Sequence, residues 1–287
     1  MTPYRLGLLL TTASAIAWST AGLFTRLIPR DAWTLLAWRG IFGALGIGLA
    51  ILILDQSLAG FRRLGWQGWL YAAVSGLGMI LFITALRFTT VAHVAVIYAA
   101  VPFVAAALDR IVLRQRPGRA ALSASAAALI GVVVMVGAGG EGSLFGDALA
   151  FGMTLSMAAM MVAARRFPQV PALHAACLSA LLSALAAWPL SQALAVSGGE
   201  LVLLAGFGLV NSALGLTLFT LGARLLPAVE TALIGALDAP LAPVWVWIAF
   251  GETPGSATRI GGAIVFVAVA AHLLIGAQKP PGSLNPR

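Results

Sequence analysis

Ten long apolar runs, separated by short polar joins, follow one another along the chain. A membrane helix needs about 20 apolar residues to cross the hydrocarbon core of a bilayer, and each run is close to that length. The joins hold only a few residues, so none of them can contain a soluble domain. The pattern therefore predicts an all-α integral membrane protein with ten transmembrane helices, in the runs 6–28, 32–54, 66–86, 90–113, 120–140, 144–164, 170–194, 201–223, 227–249 and 258–277.

The composition agrees with lipid as the main solvent. Of the 287 residues, 61% are hydrophobic and 9% are charged, whereas a soluble domain has about 25% charged residues. The first run follows Arg5 and could belong to a secretory signal peptide. Because it is long enough to span and more runs follow, we interpret it as a retained first helix.

The net charge of +8 does not indicate a nucleic-acid partner, because almost all cations lie in the short joins. A basic groove for nucleic acid would need them on one continuous surface. Twelve of the 17 cations fall on one side of the predicted membrane and four on the other, while Arg39 lies inside the second run. Cytoplasmic loops carry the excess of Lys and Arg, which predicts that both termini are cytoplasmic. Cys177 is the single cysteine, so neither a disulfide nor a cysteine-based metal site is predicted.

An internal repeat divides the chain into two related halves. With a shift of 137 residues, segment 75–87 aligns without a gap on segment 212–224, and Ser, Leu, Gly, Leu, Phe and Arg coincide. The predicted domains are 1–140, the first five-helix repeat, and 141–287, the second. Since each half has an odd number of helices, the second must enter the membrane inverted. Inverted repeats are typical of secondary transporters, whose sites lie near the bilayer midplane between the repeats.

Short motifs in a fixed order connect the chain with a known family. The motifs are Ala17-Trp18-Ser19, Arg39, the stretch from Ala85-Leu86-Arg87 to Pro102, Asp238-Ala239-Pro240, Phe250-Gly251-Glu252 and Gly261-Gly262. In this order they resemble the drug/metabolite transporter superfamily in its ten-helix EamA-type form, nearest to the bacterial branch that exports aromatic amino acids and methionine. The loop motif Gly-Glu-Arg of that family is incomplete here, because Thr253 follows Glu252 and Gln115 replaces the acid in the first half.

The resemblance implies a multi-pass exporter of the bacterial inner membrane that works by alternating access. Its central cavity would be lined mainly by helices 1, 3, 4, 6, 8 and 9, and its partners would be a small-molecule substrate and the lipid bilayer, with no cofactor and no metal. Two alternatives stay open: export of drugs or other metabolites that are not amino acids, and a membrane-embedded enzyme acting on lipid-linked or amphipathic substrates. The enzyme would need a catalytic cluster, and the sequence has no His-Glu-x-x-His, P-loop or cysteine nucleophile motif.

Two prolines point to the transport site. Pro102 in helix 4 and Pro240 in helix 9 fall at nearly the same repeat position. A proline inside a helix frees a carbonyl group and bends the helix, and paired broken helices mark binding sites in transporters. The alternative is a packing kink that neighbouring helices satisfy.

Three titratable residues are candidates for charge or proton handling. Asp238 lies near the middle of its run, where a charge facing lipid costs about 2.5 kcal/mol or more. It could bind a substrate ammonium group or a proton, or pair with Arg39, which could also extend outward to the interface. Glu230 is predicted at a cytoplasmic mouth, either in the cavity or solvated. His93 is its repeat equivalent at the outer mouth, either a proton-handling group or a hydrogen-bonded histidine at a helix end.

Aromatic, methionine and amide side chains on the expected cavity helices are the candidate lining groups: Trp18, Met79, Tyr98, Met160, Met161, Asn211 and Trp245. Such groups suit an amphipathic substrate, although helix packing or lipid contact also explains each of them. Small residues at 40, 44 and 48 in helix 2 and at 123, 127 and 131 in helix 5 predict close helix packing, and the helix 5 face could also form a homodimer.

Overall fold

The computed structural model describes residues 2–54, 57–137 and 143–277. These residues form ten helices long and apolar enough to cross a membrane, which confirms the ten predicted runs. Helices 2, 3, 5, 6, 7 and 10 are continuous and comprise Ala32–Ile53, Gly65–Phe88, Arg119–Val136, Leu144–Arg166, Ala172–Ala187 and Ser256–Ala277.

Helices 1, 4, 8 and 9 are interrupted. Their parts are 1a and 1b (Pro3–Ser19, Ala21–Leu27), 4a and 4b (Val91–Tyr98, Val101–Leu108), 8a and 8b (Gly198–Phe207, Thr217–Gly222), and 9a and 9b (Ala228–Gly235, Asp238–Phe250). The π-helical segment Gly208–Leu216 joins 8a to 8b, and a π-helical turn, Asp109–Leu113, follows 4b. Short 3₁₀ turns occur at Leu58–Arg63, Trp188–Leu190 and Ala193–Ala195.

Local sequence explains where several helices begin and end. Asp31 caps helix 2 by accepting hydrogen bonds from the backbone N–H groups of Trp33 and Thr34, both at 3.0 Å. Ser197 and Glu200 form a capping box at the start of helix 8a. Such caps satisfy backbone donors that have no partner inside the helix. Gly251 ends helix 9b in the left-handed region with φ 71°, which costs little without a Cβ atom.

The packing between helices follows the internal repeat. Helix 2 packs on helix 7, helix 4 on helix 9 and helix 5 on helix 10, so each of these pairs joins two equivalent helices. Helix 3 packs on helix 6, and helix 1 packs on helix 8. The second pair is the repeat equivalent of the first, because helix 3 corresponds to helix 8 and helix 6 corresponds to helix 1. The fold is therefore a ten-helix, two-repeat architecture with an approximate twofold relation. The predicted boundary between domains 1–140 and 141–287 lies outside the described residues.

One glycine of each small-residue seam lies against another helix of the same chain. A Cβ atom on Gly40 would come within 2.6 Å of the Ala180 carbonyl oxygen in helix 7, so the helix 2 seam permits close packing there. A Cβ atom on Gly131 would be 2.7 Å from the Gly261 carbonyl oxygen in helix 10. Helix 10 thus covers helix 5 at Gly131, and a homodimer through helix 5 stays a prediction that would have to use its exposed side, where Ser123 lies.

Candidate functional site

Helices 4 and 9 are broken at equivalent positions of the repeat. The turn at Ala99 and Ala100 separates helix 4a from 4b, and the turn at Ala236 and Leu237 separates 9a from 9b. Each break lies just before a proline: Pro102 is in the first turn of helix 4b and Pro240 is the third residue of helix 9b. Because proline has no N–H group and its ring collides with the carbonyl four residues earlier, each of these two prolines favours a break in the preceding turn.

Asp238 is the first residue of helix 9b and so lies directly at the break. Unpaired backbone N–H groups at the beginning of a helix favour a negative charge there. The carboxylate also lies near enough to Tyr98 of helix 4a for an electrostatic interaction. The predicted alternative, a pairing with Arg39, is wrong, because the Arg39 guanidinium bonds to Asn211 and Met79 instead.

A cluster of large apolar side chains lies where helices 1, 4, 6 and 8 meet. Trp18 and Tyr98 pack against a buried core that includes Met160, Met161 and Phe219. The ring centroids of Trp18 and Phe219 are 4.7 Å apart, while Met160 and Met161 are almost completely buried. Trp18, Tyr98 and Met160, predicted as lining residues from three separate helices, therefore contribute to the same interior surface.

A polar network beside this cluster joins helices 1, 2, 3 and 8. The Trp18 indole donates to the Asn211 carbonyl oxygen at 3.0 Å, and the Asn211 amide donates to the Trp18 carbonyl oxygen at 3.2 Å. Arg39 donates to the Asn211 side-chain oxygen at 3.2 Å, and its Nη2 lies 2.8 Å from the Met79 sulfur. Arg39, for which outward extension was one of two predicted alternatives, thus points inward and connects three predicted lining residues. The sequence signal that could have identified Arg39 as part of this network is its position as the one cation inside an apolar run.

Trp245 of helix 9b contacts the break in helix 1. Its indole donates a hydrogen bond of 2.7 Å to the Ser19 hydroxyl, and that hydroxyl donates to the Ile16 carbonyl oxygen. Thr20, the residue between helices 1a and 1b, bonds back to Ala17 in the same way. The sequence analysis did not single out Ser19, although it belongs to the Ala17-Trp18-Ser19 motif.

His93 and Glu230, which are equivalent in the repeat, bind the first turns of different helices. His93 Nδ1 lies 3.0 Å from an Asp147 carboxylate oxygen of helix 6, which connects helix 4a with the second half. Glu230 accepts a hydrogen bond of 2.8 Å from the Tyr4 hydroxyl of helix 1, which connects helix 9a with the first half. Because Glu230 is 8% exposed and also lies 3.7 Å from His272, the expected solvated position is wrong. Within the described ranges, no cluster of His, Cys, Asp or Glu could hold a metal ion.

An exposed ion pair joins the end of helix 1b to the loop between helices 9 and 10. Arg26 donates to both carboxylate oxygens of Glu252, at 2.6 and 2.9 Å. The hydrogen bond from Arg26 and then its positive charge hold the pKa of the Glu252 carboxyl below its usual value. The guanidinium of Arg26 also lies 5.1 Å from the Phe250 ring, so the contact combines charge with a cation–π interaction.

Comparison with known proteins agrees with this architecture. The model of the EamA-like transporter family matches the chain twice, at residues 5–137 and 144–274. A solved crystal structure has the same fold, with a TM-score of 0.82 and 20% sequence identity over 95% of this chain and 99% of the other. No curated protein matches the chain in sequence.

Proposed function

Since the chain belongs to the EamA-like transporter family and is thus a multi-pass membrane transporter of small molecules, we propose that it exports amino acids. The proposed substrates are aromatic or methionine-like amino acids, and the proposed location is the bacterial inner membrane with both termini in the cytoplasm. Transport proceeds by alternating access around a site between the two halves, 1–140 and 141–287. Members of this family are transporters and not enzymes.

The observation that carries this proposal is the pair of breaks in helices 4 and 9. In transporters with inverted repeats, discontinuous helices form the substrate site near the membrane midplane. Here the break in helix 9 places Asp238 at the start of helix 9b, opposite Tyr98 at the end of helix 4a. An acid at this place can neutralise a substrate ammonium group or exchange a proton.

The side chains around the breaks support an amphipathic substrate. Trp18, Tyr98 and Met160 offer aromatic and thioether surfaces, which bind apolar groups of different shapes. Polar hydrogen-bonding groups lie directly beside them at Asn211 and Ser19. An apolar surface next to a few fixed polar groups is the usual composition of a small-molecule site.

The contacts of His93 and Glu230 support alternating access. Each one ties the beginning of a broken helix to the first helix of the opposite half, and the inverted topology puts the two contacts at opposite membrane faces. Release of the His93–Asp147 contact would open one face, and release of the Tyr4–Glu230 contact would open the other. In this scheme His93 and Glu230 act as gate residues.

Flux measurements in proteoliposomes test the proposed function. Purified protein is reconstituted with radiolabelled phenylalanine, tryptophan, methionine, alanine and glutamate inside, and efflux is followed against protein-free liposomes. We expect protein-dependent efflux of phenylalanine, tryptophan or methionine that unlabelled substrate inhibits. Efflux of cationic dyes or other drugs without efflux of any amino acid would favour the alternative substrate class and contradict the proposal.

A further inference from the structure

Arg39 is a cation placed deep in a membrane helix. It lies eight residues after Asp31, which caps helix 2, and a rise of 1.5 Å per residue puts it about 12 Å along the helix axis. Charged residues at such depth are rare, and they usually face a partner or a functional pathway. The immediate surroundings of Arg39 therefore indicate what kind of partner it binds.

The groups around the Arg39 guanidinium are all electrically neutral. Its hydrogen bonds go to the Asn211 amide oxygen and the Met79 sulfur, and the Phe207 ring centroid lies 5.6 Å away. Its Nε atom is completely buried and has no hydrogen-bond partner among the described residues. A buried charge is normally paired and fully hydrogen-bonded, and Arg39 as it stands is neither.

The acids of the surrounding helices are bound elsewhere. Asp109 pairs with Arg165, Glu230 with Tyr4, Asp147 with Thr89 and His93, and Glu200 with Arg30. In the described part of the chain, no carboxylate lies within ion-pair distance of Arg39. Among the described residues the charge of Arg39 is therefore left without an anionic partner, and an anion from outside the chain would supply one.

We propose that Arg39 binds the negatively charged group of the transported molecule, and that this group is a carboxylate. A guanidinium offers paired N–H donors whose spacing matches the two oxygens of a carboxylate, and the unused Nε–H is one of them. This inference rests on the proposed function, because it assigns the substrate class of the same site.

The location of Arg39 defines how such a substrate lies. Asn211 is shared between Arg39 and Trp18, and Trp18 belongs to the aromatic and methionine cluster of the interior. A substrate with its carboxylate on Arg39 therefore extends its apolar part along Trp18 toward Phe219. Asn211 itself lies in the π-helical segment of helix 8, and π-helical turns are frequent at functional sites.

Thermal stabilisation of the purified protein in detergent tests this inference without transport. The probes are three acids, phenylalanine, methionine and benzoate, each compared with its carboxamide, which keeps the shape and loses the negative charge. We expect at least one acid to raise the melting temperature and to bind about tenfold or more tightly than its amide, which corresponds to about 1.4 kcal/mol.

Substitution at Arg39 provides the second arm of the experiment. Arg39→Gln should abolish the preference for the acid, and Arg39→Lys should keep part of it, because a lysine retains the charge without the paired donors. Arg62→Gln, at an exposed arginine, is the matched control and should behave like the wild-type protein. If Arg39→Gln does not fold, the comparison of acid and amide binding to the wild-type protein still tests the inference.

Equal stabilisation of the wild-type protein by acid and amide, or stabilisation by neither, would overturn the inference. So would an undiminished acid preference in a folded Arg39→Gln protein. Acid-specific binding that needs Arg39, combined with no amino-acid flux in proteoliposomes, would support the anion site and refute the proposed function. Failure of the Arg39 anion site and failure of the proposed amino-acid export therefore give different results.

Discussion

At the scale of single residues, position at a helix break decides what an acid can do. Asp238 would be one charge in a continuous apolar helix if helix 9 were unbroken. The break instead places it at the beginning of helix 9b, where the backbone N–H groups favour its ionised form. Under the proposed function, Asp238 at this break is the group that would bind a cation or a proton.

Asp238→Asn tests this role. The amide keeps the size and hydrogen bonding of the acid but removes its charge, so the protein should fold normally and lose about tenfold or more of its flux, equivalent to about 1.4 kcal/mol. If a proton is exchanged, the pH dependence of flux should disappear as well. Proteoliposome flux between pH 5.5 and 8 measures both effects, with the exposed Glu252→Gln as control. Equal flux and equal pH response would assign Asp238 to structure.

The Arg26–Glu252 pair gives a pH-dependent contribution to stability. Since the pKa of Glu252 is lowered in the folded protein from its ordinary value of 4.5, the pair stabilises the fold fully above that value. The contribution disappears as the pH falls through the lowered folded-state pKa. The melting temperature should therefore be slightly higher for wild type than for Glu252→Gln at pH 7, and the difference should shrink as the pH is lowered toward 3.

The small size of the difference follows from the exposure of both side chains, because exposed ion pairs contribute little and are screened by salt. Arg26→Gln should give the same pH-dependent difference, and adding Glu252→Gln to it should change nothing further. A difference that persists unchanged at pH 3 would show that Glu252 stabilises the protein by something other than its charge.

Two predicted lining residues lie together in the protein interior, whereas Arg39 and Glu230 lie in surroundings that differ from those expected. Trp18 and Tyr98 could be predicted to face the interior because they are large side chains on helices that the family resemblance places around the cavity, and both belong to the interior cluster. The direction of Arg39 could not be predicted, because outward and inward orientations of a long side chain depend on which helices lie beside it. The burial of Glu230 likewise depends on Tyr4 and His272, which are distant in sequence.

At the scale of helices, the interruptions in helices 4, 8 and 9 have two different origins. Those in helices 4 and 9 follow from proline chemistry and could be predicted from the sequence. The π-helical segment of helix 8 contains no proline, and its cause lies in helix 1: Ser14 and Trp18 donate hydrogen bonds to the carbonyl oxygens of Gly215 and Asn211. Side chains that insert into a helical hydrogen-bond ladder distort it, and only the tertiary structure brings these partners together.

The proline-dependent breaks are open to a direct test. In Pro102→Ala and Pro240→Ala, the restored N–H group can bond across the break, and the continuous helix gains up to about 3 kcal/mol. Both proteins should insert and fold normally but transport more slowly. Proteoliposome flux gives the rate, and protection of the new amide N–H at position 102 or 240 from hydrogen exchange reports the straightening.

The matched control is Pro243→Ala, since Pro243 lies within the continuous part of helix 9b and no break depends on it. Its flux should stay near that of the wild-type protein. If Pro102→Ala and Pro240→Ala both transport at the wild-type rate, the two prolines are packing kinks, and the position of the site loses its main support.

At the scale of the whole molecule, the helices of each half pack on helices of the other half. The most extensive contacts between helices of different halves either join equivalent helices or have an exchanged counterpart. Five helices per half require that the second half be inverted, while the sides of the membrane follow only from the distribution of cations. The ten helices and the repeat could be read from the sequence, because length, apolarity and self-similarity need no tertiary information.

Cysteine accessibility tests the orientation. In a Cys177→Ala background, single cysteines at the exposed positions Arg116 and Glu252 are labelled in intact cells with a membrane-impermeant maleimide. The inverted repeat predicts that the position 252 cysteine reacts from outside and that the position 116 cysteine reacts only after the membrane is permeabilised. Labelling of both positions from the same side would refute the inverted arrangement.

The packing of first-half helices on second-half helices also determines when these contacts can form during synthesis. Helix 1 packs on helices 8 and 9, and helix 2 on helices 7 and 8, so the earliest helices to leave the ribosome have their partners among the last. Helix 8 is complete roughly 200 residues after helix 1, a delay of about 10–40 s at about 5–20 residues per second. During that interval Arg39 and Trp18 have no helix 8 to bind. The nascent first half must therefore wait in the membrane, open to lipid or to a chaperone, until the second half arrives.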